Sequence, residues 1–225
     1  MSEIQVFSTI GMRTVLDELA PGFELAHDCT VTRIYDPSVA AMQRIAAGET
    51  GDVAVFTAAA IDDLIAQGKM TARTDLTRSF VGIAVRRGAA RPDIATPDSF
   101  KAALLAARSV AHSSTGASGL YFVSLMERLG IAGVIKAKAV VIDGIVGKLA
   151  ASGEAEIAVQ QVSELMQADG VDIVGPLPDE LQSITVFSAG VFTGCAQPAL
   201  AGALIADLAS PKHAALVRRK GMEPV

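Results

Sequence analysis

Three times in its first 67 residues the chain passes from a short strand-like run, apolar or β-branched and alternating, to a stretch whose apolar side chains recur at helical spacing. That alternation restricts it to an open, mostly parallel α/β sheet. Ile4 to Ser8 precedes Met12, Val15, Leu16 and Leu19; Cys29 to Tyr35 precedes a helical stretch from Val39 to Ala47; Asp52 to Thr57 precedes one from Ala60 to Gln67. The run DVAVFT is apolar on both faces, as a central strand of a parallel sheet must be. Pro21-Gly22 is expected to break or bend the first helix.

The second half restates this order. Strands are expected at 78–86, 109–112, 137–142, 155–160, 171–174 and 185–192, and helices at 99–107, 120–129, 145–151, 162–167, 198–208 and 211–220. The long β runs near 78–86 and 185–192 read as crossovers between two lobes. Residues 1–82 with 185–225 make the first lobe and 83–184 the second, with a ligand cleft between them at the carboxyl ends of strands.

Composition narrows the function. A net charge of −5 with scattered Lys and Arg argues against nucleic acid. The absence of Trp and an aromatic content of 4% leave no stacking platform for bases. No apolar run reaches the roughly 18–20 residues needed to cross a bilayer, so no direct membrane insertion is expected. Cys29 and Cys195 are far apart and belong to no CxxC pair, which fits two reduced thiols. The opening MSEIQVFST has no basic segment followed by an apolar one. As written, the chain reads as cytoplasmic; a leader ahead of this sequence would make it periplasmic.

Motifs for catalysis and cofactors are near misses. GIVGKL at 144–149 has two residues between its glycines where a phosphate loop has four, and Leu149 where Mg²⁺ needs a hydroxyl. GASG at 116–119 lacks nucleophile-elbow spacing. His27, His112 and His213 do not pair at metal-ligand spacing, so neither a metal nor a cofactor is expected.

What remains is a set of small polar residues at strand-to-helix junctions: Ser8, Thr9 and Gly11; Ser38 after Asp36-Pro37; Ser114 and Ser118 in HSSTGASG; and Gln160-Gln161, read as a loop after a strand. Each hydroxyl alone is simply a helix cap. Together, at strand carboxyl ends, they suggest an anion site built from neutral donors. Arg13 sits in a first helical turn, against the helix dipole, and Arg78 opens a crossover strand; either offers a bidentate grip on a carboxylate.

These residues carry a family resemblance. Over nearly the whole chain, IQVFSTIGMRTVLDEL, IAAGETGDVAVFTAAAIDDL, SVAHSSTGASGLYFVSLMERLGI, EIAVQQVSEL and VGPLPDELQSITVFSAG resemble the type II periplasmic solute-binding proteins, in particular the molybdate-binding-protein-like group. The resemblance implies a two-lobed fold, each lobe a mostly parallel sheet flanked by helices, joined by two crossover strands. It implies a monomer, because the cleft must open and close. It implies a small anionic ligand, and an ABC permease as partner only if a leader has been removed. By position, the group's ligand serines fall on Gly11 and Ser38, its backbone donors on Ser118 and Ile145, and its ligand tyrosine on Gln160. Gly11 and Gln160 therefore depart from the molybdate pattern, and with Arg13 and Arg78 they favour a carboxylate. Some members of this divergent subgroup resemble aconitate isomerase, which shifts a proton between two carbons of a tricarboxylate.

Two functions follow. The first is binding of a small carboxylate without catalysis. The alternative is a cytoplasmic isomerase acting on a small polycarboxylate, whose acid–base group is open among Asp36, His112 and Tyr121. A transcription-factor effector domain would need a helix-turn-helix for which the chain has no room.

Overall fold

The structure is a computed structural model describing residues 2–225. It divides into two compact units, Met1–Ser79 with Thr185–Val225, and Phe80–Ile184. The first opens with β1 (Ser2–Thr9), α1 (Arg13–His27), β2 (Cys29–Asp36), α2 (Ser38–Ala46), β3 (Val53–Thr57) and α3 (Ala58–Ala66), and β4 (Thr74–Arg86) carries the chain onward. The second contains α4 (Pro97–Ala106), β5 (Val110–Ser113), α5 (Ala117–Arg128), α6 (Ala132–Lys136), β6 (Ala139–Ile142), α7 (Gly147–Ser152), β7 (Ile157–Gln161), α8 (Val162–Leu165) and β8 (Val171–Pro176). β9 (Ile184–Val191), α9 (Pro198–Leu208), α10 (Ala214–Arg219) and β10 (Met222–Pro224) complete the first unit.

In the first unit β1 lies between β2 and β3, parallel to both, with Val6 opposite Arg33 and Val53. β9 runs antiparallel to β3, with Val55 opposite Ala189. The period-two geometry of a strand sends alternate side chains to opposite faces. Ile4, Val6, Val53 and Val55 join Val15, Leu16, Leu204 and Ile205 in one core; Phe7, Ala54 and Phe56 join Ala41, Ile45, Ile61 and Leu64 in another. Both faces are thus covered by helices, which is why these strands read as continuous apolar runs.

The second unit repeats the plan. β5 is parallel to β6 and β7, and β4 pairs antiparallel with β7 and β8. Val110, Ile157 and Val159 pack with Phe100, Phe122 and Leu125; Ala111 and Ala158, on the opposite face, pack with Val146, Ala150 and Leu165. Small alanines on that face let α7 and α8 approach closely. Each fully buried Phe or Leu in these cores contributes roughly 1.5–3 kcal/mol.

Three local expectations are corrected. Pro21 does not break α1, which continues to His27 and ends at Asp28 in the left-handed conformation (φ 49°). The buried stripe of Val15, Leu16, Ala20 and Phe23 runs past Pro21, and its packing outweighs the lost backbone bond. The pair Gln160-Gln161 is not a loop: Gln160 lies in β7 as the strand expected at 155–160 has it, Gln161 ends that strand, and both are buried. Arg78 does not open its strand, because β4 begins four residues earlier, at Thr74. Its first half is extended by β10, which pairs antiparallel to it with Glu223 opposite Arg78.

Candidate functional site

The carboxyl ends of parallel strands are where helix N-termini and loop donors converge. In the first unit that edge carries Thr9 from β1, Asp36 from β2 and Thr57 from β3. Ser8 and Thr9 are buried, and Gly11 is buried in the single 3₁₀ turn, Ile10–Met12, that joins β1 to α1. Thr9 Oγ1 makes no hydrogen bond among the described residues. Thr57 caps α3 by accepting from the Ala60 amide at 3.3 Å. Ser38 is the first residue of α2 and is half-buried.

Arg13 heads α1 with its guanidinium carbon 4.9 Å from the centroid of the Tyr35 ring, and its Nε is buried without a partner. Tyr35 in turn donates to Asp17 at 2.6 Å. Burial, then this hydrogen bond and the Asp17 charge, push the phenol well above the ordinary tyrosine range, so Tyr35 stays neutral. A neutral aromatic face beneath a guanidinium leaves the cation's donors for an anion. Arg78 differs: it is exposed on β4.

The carboxyl edge of the second unit is more tightly knit. Ser113 Oγ accepts from the Gly116 amide at 2.9 Å and closes the loop before α5. Asp143, just after β6, accepts from the Ser114 hydroxyl and from Thr115 Oγ1 at 2.7 Å, which holds its carboxyl below the usual range. A Cβ on Gly119 would stand 1.9 Å from the Ser113 carbonyl oxygen, so only glycine lets α5 start this close to β5. Ser118, one residue earlier, is buried with its Oγ unpaired.

Gln160 joins two of these loops. Its Oε1 accepts from the Val146 amide at 2.9 Å and its Nε2 donates to the Gly144 carbonyl at 2.7 Å. The same side chain hydrogen-bonds Glu164, which also accepts from the Gln161 backbone. Glu164 is 9% exposed, and its second oxygen, Oε2, is buried with no partner. Burial pushes its pKa up to about 7, against the opposing pull of those two hydrogen bonds.

Ser8, Thr9, Gly11, Arg13 and Ser38 thus gather on or beside one edge of the first unit, and Ser114, Ser118 and Gln160 on one edge of the second. Ser114 is engaged with Asp143, while Ser118 remains uncommitted. The three acid–base candidates are placed otherwise. Asp36 is ion-paired with Arg44 at 2.6 Å. Tyr121 donates to the Leu181 carbonyl at 2.7 Å and accepts from Arg128 at 2.9 Å. His112 packs against Phe122 and lines an apolar cavity of about 390 Å³ with Met126, Ile135 and Val141. Glu164 escaped sequence reading because VSEL has the look of an ordinary amphipathic turn. No sequence signal sets it apart from a solvated glutamate. Among the described residues no group of three or more His, Cys, Asp or Glu could hold a metal ion, and no helix is long and apolar enough to cross a membrane.

Comparison with known proteins gives these edges a context. Residues 4–223 match the model of a family described as bacterial extracellular solute-binding protein. An aconitate isomerase from Pseudomonas sp is 36% identical over 234 residues, covering 100% of this chain and 89% of that protein. The periplasmic molybdate-binding protein of Azotobacter vinelandii superposes with a TM-score of 0.81 at 19% identity, over 97% of this chain and 98% of that one. The tungstate-binding protein of Desulfovibrio alaskensis gives 0.71 at 17% identity, over 100% and 99%. The sulfate-binding protein of Mycobacterium tuberculosis gives 0.75 at 15%, over 100% and 88%. These three likenesses are of fold.

Proposed function

We propose a function from one premise: the chain belongs to the bacterial extracellular solute-binding protein family. Its ligand is a small polycarboxylate, and it isomerises that ligand in the manner of an aconitate isomerase. The observation that carries this is the 36% identity to the Pseudomonas enzyme across the whole chain. Two features of the first unit's edge support it. Gly11 stands where the molybdate-binding-like group has a ligand serine, which removes a hydroxyl donor to a tetrahedral oxyanion. Arg13, with Nε buried and unpaired, supplies a donor suited to a planar carboxylate.

The second reading is non-catalytic binding of an oxyanion or carboxylate for delivery to a permease. The unpaired hydroxyls of Thr9 and Ser118 favour it, since neutral donors at helix starts suit any small anion.

The test is incubation of the purified protein with cis- or trans-aconitate, followed by proton NMR, beside a thermal-shift series with both isomers, citrate, molybdate, tungstate and sulfate. Interconversion of the isomers, with stabilisation by tricarboxylates, is the expected result. A ligand at 100 times its dissociation constant stabilises by about 2.7 kcal/mol. Stabilisation by molybdate or tungstate without interconversion would replace this reading with the second.

A further inference from the structure

We propose that Glu164 is the catalytic acid–base group of this protein, taking a proton from one carbon of the bound polycarboxylate on Oε2 and returning it to another. The inference rests on the isomerase function proposed above and names the residue that performs it.

The geometry separates the two oxygens of one carboxyl group. The hydrogen bonds from Gln160 and from the Gln161 backbone leave Oε2 bare, though it is buried. The bond from Gln161, the residue before α8, to Glu164 is half of a capping box. A glutamine at 164 would cap equally well without burying an ionisable group. The carboxylate costs desolvation, and what it alone provides is an oxygen that can gain and lose a proton.

Its place fits that use. Glu164 follows β7 at the carboxyl edge, and Gln160 ties it to the Gly144–Val146 loop. Ser118, whose Oγ is also buried and unpaired, follows the neighbouring strand β5. The alternatives are engaged elsewhere: Asp36 by Arg44, Tyr121 by Leu181 and Arg128, and His112 by the Ser113 carbonyl, 3.1 Å from its Nδ1.

The chemistry closes without a co-reactant. A C–H bond of the substrate's methylene carbon breaks and the proton passes to ionised Glu164. The electron pair left behind joins the adjacent double bond as an allylic anion, spread onto the flanking carboxylate. Glu164 then gives the proton to the far allylic carbon, where a C–H bond forms as the double bond closes between the other two. No atom or electron is gained or lost, and Glu164 ends ionised, as it began.

The test is the pair Glu164→Gln and Glu164→Asp, each assayed for interconversion of aconitate isomers and for ligand-induced thermal shift. Glu164→Gln keeps the cap and the shape, so its kcat is expected to fall at least 100-fold while tricarboxylates still stabilise it. Glu164→Asp, with the carboxyl drawn back by one methylene, is expected to retain measurable turnover above Glu164→Gln. Turnover by Glu164→Gln within about threefold of wild type would overturn the inference and leave the isomerase function standing. So would loss of ligand stabilisation and turnover together in both variants, which marks a structural role. Absence of interconversion by the wild-type protein would overturn the isomerase function and this inference with it.

Discussion

Gln160 holds Val146 in place from fourteen residues away: its Oε1 accepts the Val146 amide at 2.9 Å, in a setting where both are buried. Gln160 Nε2 donates to the Gly144 carbonyl, so this one side chain from β7 fixes the loop between β6 and α7. Replacing it leaves the buried Val146 donor unpaired, at a cost of about 1–3 kcal/mol, and takes a partner from the half-buried Gly144 carbonyl. Gln160→Ala is therefore expected to lose roughly 1–3 kcal/mol in urea unfolding. It should also weaken anion binding at least tenfold by isothermal titration. Full affinity in a folded Gln160→Ala protein would show that the Gly144–Val146 loop is not part of the site.

Glu164 makes stability depend on pH. Its carboxyl titrates at about 7 in the folded protein against an ordinary value of 4.5, so between those values the native state holds a proton that the unfolded chain has released. The stabilisation is complete below about pH 4.5, declines as pH rises, and is gone above about pH 7. Its size is roughly 3 kcal/mol. Urea midpoints at pH 5.5 and pH 8 should show this fall in wild type and a flatter profile in Glu164→Gln. Parallel profiles would mean that Glu164 titrates normally.

The two arginines separate cleanly by environment. Arg13→Ala removes a half-buried guanidinium with an unpaired Nε over Tyr35, and is expected to weaken carboxylate binding more than tenfold. Arg78→Ala removes an exposed charge on β4, and should leave affinity within twofold and stability within about 0.5 kcal/mol. Reversal of that order, read by titration calorimetry, would move the cation of the site to β4.

Gly119 and Gly133 test the close approach of α5 to β5. A methyl at Gly119 meets the Ser113 carbonyl at 1.9 Å, whereas one at Gly133 meets nothing within 4 Å. Gly119→Ala is expected to cost at least about 2 kcal/mol by overpacking against backbone. Gly133→Ala, on α6, should be neutral or stabilising by up to about 1 kcal/mol. Equal melting temperatures for the two variants would show that the loop before α5 yields without cost.

How much of this was legible beforehand follows from what each element buries. The run DVAVFT announced itself because helices cover both faces of the sheet, which leaves Val53 to Phe56 without a polar residue. The hydroxyl-bearing junctions were legible for the same reason, since a polar cluster between two apolar patterns marks a strand's end. Pro21 misled because local stiffness competes with a tertiary stripe, and only the second is visible once Phe23 is packed. β10 has no pattern to find: Met222-Glu223-Pro224 becomes a strand only because the exposed edge of β4 is beside it. Glu164 has no such pattern either. Its character lies in an absent hydrogen bond, which no spacing of letters records.

The first unit draws on residues from both sides of the second, 1–79 and 185–225, whereas Phe80–Ile184 is one unbroken stretch. Synthesis runs in one direction, so the ribosome delivers everything the later unit needs while the earlier one still lacks β9, α9 and β10. Until then β3 and the first half of β4 stand as open edges without their antiparallel partners. The part of the chain made first is therefore the part finished last, and during that interval it depends most on whatever shields nascent β edges from pairing with strangers.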